Sequence, residues 1–234
     1  MIANKKEFYG GVGLMAGFMA VLVLIFLPLY HDSHGKQQNG LNFLDDLFNS
    51  ISKDSAYYIP KLKDDVKKSL QGKTMALDLK FESDAKAKEI EQLFIKAGAE
   101  AKAEGALITV KGDLDKIMGA CLDDADTLFH NQSDALRAKY GMDGKLVLYD
   151  WWLSLKSMKS ALDGNEQFKE GKVVYSVMTK AVECSYNYYK VEPKGMSTSL
   201  GLVIFSLVFY VVYTLWYGYA IMFMFEGWGL KISH

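Results

Sequence analysis

The sequence reads as a membrane protein of the α+β class: two transmembrane helices, N- and C-terminal, bracketing a mostly helical extracytoplasmic domain with a small β-α-β-β-α unit. Three observations predict this. Half of the 234 residues are apolar, and they pile up in two runs, Phe8–Leu29 and Leu200–Phe225, that carry no charged side chain. Each run exceeds the roughly 20 residues needed to cross a hydrocarbon core. Of 27 basic and 28 acidic residues, only Lys5, Lys6, Lys231, Glu7 and Glu226 lie outside the segment between the runs. Within that segment the apolar pattern alternates between the period of a strand and that of a helix.

The elements follow in order. Residues 1–7 form a short tail and 8–30 the first span. Its apolar run is longer than the 7–15 residues of a cleaved signal, and Leu27, Pro28, Leu29 and Tyr30 are too bulky for a cleavage site, so it reads as a retained signal anchor. Residues 31–40, HDSHGKQQNG, are a polar linker. Residues 41–192 form the extracytoplasmic domain, 193–199 a hinge marked by Pro193 and Gly195, 200–225 the second span and 226–234 a tail. Lys5 and Lys6 precede the first span and Lys231 follows the second, against Lys36 alone just past the first. That bias places both termini in the cytoplasm, although Lys190 and Lys194 weaken it. In a bacterium the expected location is the inner membrane, two-pass, with the domain periplasmic.

In the domain, LNFLDDLFNSISK sets Leu41, Leu44, Phe48 and Ile51 on one helical stripe; its polar face lacks lysines, which favours packing on the domain over lying on lipid. MALDLKF alternates, as a half-buried strand over Met75–Phe81 does. Ser83 caps a helix whose inner face is Ala87, Ile90, Leu93, Phe94 and Ala97, stopped at Gly98. Two short strands turn at Glu104–Gly105, the second being Leu107–Val110. Asp113 opens a helix with Leu114, Ile117, Met118, Cys121, Ala125 and Leu128 inward. This order suggests a partial ferredoxin-like sheet. From Gln132 to Val191 the pattern is all helix, broken at Gly141, Gly144 and Gly164.

Residues able to carry chemistry are sparse. His31 and His34 form an HxxH that is a weak metal-ligand candidate, outweighed by a solvated linker because glycine follows at once. Asp123, Asp124 and Asp126 lack the spacing of a calcium loop and read as a solvated helix face. Cys121 and Cys184 are the one pair available for a disulfide; two small apolar residues buried in helices is the favoured alternative. GVGLMA matches a dinucleotide fingerprint on paper, but no strand precedes it. Neither a catalytic set nor a cofactor motif stands out, and nothing points to nucleic acid.

The informative features lie on the spans. Gly10, Gly13, Gly17 and Ala20 share one face of the first, a small-residue stripe that lets another helix approach closely. On the second, Ser199, Ser206, Tyr210, Tyr213 and Tyr217 share an arc. Tyr210 and Tyr213 fall near the middle of the bilayer, where a phenol needs a protein partner. Gly13 and Gly17 are the expected partners within the chain. The function this implies is a non-catalytic accessory or scaffold subunit of a transporter- or respiratory-type membrane complex. Its partners would be other integral membrane subunits, with a hetero-complex favoured over a homo-oligomer. An extracytoplasmic sensing module and a homo-oligomeric channel are the alternatives.

Overall fold

A computed structural model describes residues 2–32 and 35–230. It is mostly helical, 71 % of residues, with two small sheets and two helices long and apolar enough to cross a membrane. By its contacts the chain divides into two units: the described residues of 1–54 and 192–234, and residues 55–191.

The first unit opens with helix α1, Lys5–Phe26, whose N-terminus is capped by the Asn4 side chain, accepting from the backbone N–H of Lys6 and Glu7. The linker is not wholly irregular. Tyr30–His31 (β1) and Gln37–Gln38 (β2) pair antiparallel, and the backbone N–H of Asp32 donates to the Lys36 carbonyl. Helix α2, Gly40–Ser55, follows. Tyr30 stacks on Phe43, with ring centroids 5.0 Å apart, and the Lys194 backbone N–H donates to the Ser50 carbonyl at 3.2 Å. These contacts lie within the first unit, to which α2 belongs as far as Asp54. Its stripe also divides: Ile51 is buried with Leu47, whereas Leu41 and Phe48 are exposed. After Pro193 comes the last helix, α10, Met196–Trp228. At 33 residues it is about 50 Å long, several residues longer at both ends than the apolar run alone.

The second unit holds the core. Helix α3, Ile59–Leu70, was not anticipated; Pro60 sits in its first turn, and Ile59, Leu62, Val66 and Leu70 form its buried stripe. Strand β3, Thr74–Lys80, buries Met75, Leu77 and Leu79 on alternate positions. Helix α4, Asp84–Lys96, is capped by Ser83, and its expected inner face is buried throughout. Strands β4, Glu100–Glu104, and β5, Leu107–Asp113, turn at Gly105, whose φ of +63° suits glycine. Strand β5 lies between β3 and β4 and is antiparallel to both, with Leu77 opposite Val110 and Leu79 opposite Ile108. This is the split β-α-β arrangement. No fourth strand extends it among the described residues; the helix Gly144–Gly164 packs against β3.

Helices α5 (Leu114–Phe129), α6 (Ser133–Tyr140), α7 (Gly144–Gly164), α8 (Phe168–Val177) and α9 (Glu183–Asn187) complete the unit. One turn of π-helix, Met178–Val182, joins α8 to α9. Buried side chains of α3, α4, α5, α7, α8 and the sheet make one continuous core, with Trp151 edge-on to Phe94.

Candidate functional site

The terminal helices α1 and α10 pack together along a seam with a seven-residue repeat. On α10 Ser199, Ser206, Ala220 and Gly227 are buried and Tyr213 between them is half-buried, with half-buried Phe209, Trp216 and Phe223 three places after the middle three. On α1 Gly11 is buried, and Phe8, Leu14, Met15, Phe18, Val21, Leu22 and Ile25 are half-buried. The seven-residue spacing on α10 is the pattern of helices that wind around each other.

The backbones come close because glycines leave out side chains. A Cβ at Gly11 would lie 2.6 Å from the backbone nitrogen of Met224, and one at Gly227 only 2.3 Å from that of Phe8. The Asn4 backbone N–H donates to the Gly227 carbonyl at 2.9 Å. A Cβ at Gly17 would lie 2.8 Å from the Trp216 ring. With that space open, the Trp216 indole N–H donates to the Leu14 carbonyl at 2.9 Å. One turn away the Tyr213 hydroxyl donates to the Phe18 carbonyl at 3.0 Å, while its ring stacks on Phe18 with centroids 4.2 Å apart. A helical carbonyl already accepts one backbone N–H; its second lone pair takes these donors.

The anticipated residues are thus divided. Gly17, Ser206 and Tyr213 are at the seam, and the Ser206 hydroxyl donates within α10 to the Val203 carbonyl. Gly10 and Gly13 have nothing within 4 Å of a Cβ position, and Ala20 is exposed with them. Gly13 is therefore no partner of the tyrosines here. Tyr217 brings its ring to Phe18, yet is 45 % exposed. Tyr210 is 69 % exposed, and its hydroxyl meets no hydrogen-bond partner among the described residues. Gly11, Trp216 and Gly227 were missed; the seven-residue run Ser199, Ser206, Tyr213, Ala220, Gly227 was the signal that would have found the last.

The acidic segment on α5 departs from expectation. Asp124 is not solvated: it is 2 % exposed and gathers three donors, the Trp151 indole at 2.8 Å, the Tyr140 hydroxyl at 2.5 Å and the Lys139 ammonium at 2.7 Å. Asp123 pairs with Lys63 at 2.7 Å, and Asp126 accepts from the Tyr57 hydroxyl at 2.8 Å. Burial and the Asp126 carboxylate push the Tyr57 phenol up to about 12. Burial, then the Asp124 charge, raises the Tyr140 phenol further still, so both remain hydrogen-bond donors. Nearby, Lys86 donates to the fully buried Asp150 at 2.9 Å, and the second oxygen of Asp150 has no partner among the described residues.

Cys121 and Cys184 carry thiols rather than a shared disulfide. Cys121 is in the core, where burial raises its thiol well above the usual range and keeps it un-ionised. The Cys184 thiol faces the Ala56 carbonyl at 3.6 Å. His31 is exposed on β1, and His34 lies outside the described residues. No group of three metal-ligating side chains is present among the described residues.

Comparison with family models, with curated proteins and with solved structures finds no match.

Proposed function

We propose that the chain is a non-catalytic accessory or scaffold subunit of a membrane assembly of the transporter or respiratory type. In this reading α1 and α10 cross the inner membrane as a pair, both termini are cytoplasmic, and the intervening residues are held on the periplasmic side. The partners are other integral membrane subunits.

One observation carries the proposal. Tyr210 lies two residues from the middle of α10 and turns its hydroxyl away from the seam that takes up Tyr213 and Trp216. A phenol hydroxyl at that depth has no water to bond, and leaving it bare in hydrocarbon costs roughly 2–7 kcal/mol by apolar transfer. A polar acceptor on a neighbouring subunit removes that cost. The bare glycine face of Gly10 and Gly13 offers a second place for a helix to come close.

Native mass spectrometry of the protein extracted gently from its own membrane tests this. The expected result is a complex with other membrane proteins that loosens in the Tyr210→Phe variant. A strictly monomeric, partner-free protein overturns it.

A further inference from the structure

The second unit carries a surface pocket that the membrane reading does not use. It is a hollow of about 200 Å³ between α7 and the π-turn with α9, lined by Leu148, Tyr149, Trp152, Val182, Glu183 and Tyr186. The lining is almost wholly apolar, and the aromatic rings are held in place. Tyr149 and Trp152 lie parallel, with centroids 6.2 Å apart and planes within 12°. The Trp152 indole N–H donates to the Glu183 carboxylate at 2.7 Å, which fixes the ring and occupies the acid. The π-turn ends at Val182 on the pocket floor; such one-turn bulges gather at functional sites.

The charges beside the rings define what fits. The Lys145 ammonium stands 4.2 Å over the Tyr186 ring and the Lys156 ammonium 4.9 Å over the Trp152 ring. Neither ammonium meets a carboxylate among the described residues; Lys156 is exposed, and Lys145 is half-buried like Lys63, Lys86, Lys139 and Lys159, each of which does meet one. The lysines are eleven residues apart on α7, a rise of about 16 Å, with the pocket between them. An extended segment covers that span in about five residues. The hollow is smaller than the roughly 300–1,000 Å³ of a typical small-molecule or cofactor site and suits one large side chain.

We infer that this groove captures a short acidic segment of a partner protein, inserting one aromatic or large aliphatic side chain between Tyr149, Trp152 and Tyr186 while carboxylates on either side meet Lys145 and Lys156. Rigid aromatic anchors with flanking charge are what a docking hot spot consists of. The inference is independent of whether the terminal helices enter a bilayer, because every residue in it belongs to the second unit.

The test is selection from a random heptapeptide library on the full-length chain in detergent, followed by fluorescence polarisation with the strongest binder. The expected result is enrichment of peptides with a central Phe, Trp or Leu and acids two or three residues to each side. Tyr149→Ala should weaken binding at least tenfold. Lys145→Glu with Lys156→Glu should do the same and shift selection to basic flanks. Tyr149, Lys145 and Lys156 all reach the surface, so an unchanged unfolding midpoint is expected in each variant. No enriched motif, a motif indifferent to flanking charge, or binding unaffected by the lysine reversal overturns the inference.

Discussion

The two units solve the same problem, where to put an indole N–H and a phenol hydroxyl turned into the packing, in opposite ways. In the second unit Trp151 and Tyr140 converge on one carboxylate, Asp124, which Lys139 neutralises. In the first, Trp216 and Tyr213 donate to carbonyls of the neighbouring helix, Leu14 and Phe18, with no charge involved. A compact core surrounded by water tolerates a buried charge when its partners are supplied. A helix pair long and apolar enough to cross a membrane avoids charge and uses the spare lone pair of a backbone it can approach only through glycine. The difference is compatible with a membrane location for the terminal helices.

The comparison predicts a ranking of damage. Largest is Asp124→Ala, which leaves a buried indole, a phenol and a lysine without their acceptor; breaking such a set costs about 3–5 kcal/mol. Denaturant unfolding of the detergent-solubilised chain should show this as a lower midpoint for the second unit, with Asp124→Asn recovering part of it. Next come Gly11→Val and Gly227→Val, where a side chain would collide with the facing backbone, at about 1–3 kcal/mol. Gly13→Val, in open space, should leave the pair intact. Cross-linking between cysteines introduced at Phe18 and Tyr213 reads the pairing in all three. Smaller again is Tyr213→Phe, since hydrogen bonds between membrane helices average about 0.6 kcal/mol. If Tyr213→Phe proved worse than Gly227→Val, polar bonding rather than close packing would hold the pair.

The last and smallest effect is on pH. Burial raises the Asp150 carboxyl above its usual range, against the opposing pull of Lys86. The folded state therefore holds that proton more tightly than the unfolded chain. Its contribution is present below the ordinary carboxylate value and is lost as pH rises through the raised one. Asp150→Asn should flatten that decline in a stability profile taken upward from the carboxylate range. An unchanged slope would mean that Lys86 fully compensates the burial.

How much of this was written in the sequence depended on whether a pattern was local. The inner face of α4 and the alternation of β3 are periodic, and both are buried as read. The split β-α-β order followed from the same signals. Asp124 defeated local reading because its three partners come from α6 and α7, up to 27 residues away, and nothing in LDDADTLFH tells one carboxylate from its neighbours. Helix α3 went unread although its stripe of Ile59, Leu62, Val66 and Leu70 is regular; lysines and aspartates crowd around it. On the terminal helices the right residue types were found on an imperfect face. Assigning one face to all the glycines paired Gly13 with the tyrosines, whereas the packing of two wound helices is set by the seven-residue run. The aromatic groove was invisible for the reason that hid Asp124: Tyr149 and Trp152 meet Tyr186 only through the tertiary fold.

The central claim is that Tyr213 looks inward to its own chain and Tyr210 outward to another. A photo-crosslinking amino acid placed at each position, in the native membrane, tests it most directly. At position 213 the adduct should form within the chain and map to α1; at position 210 it should join the chain to a second membrane protein. Adducts of position 210 with lipid alone, or of position 213 with another protein, would contradict the account.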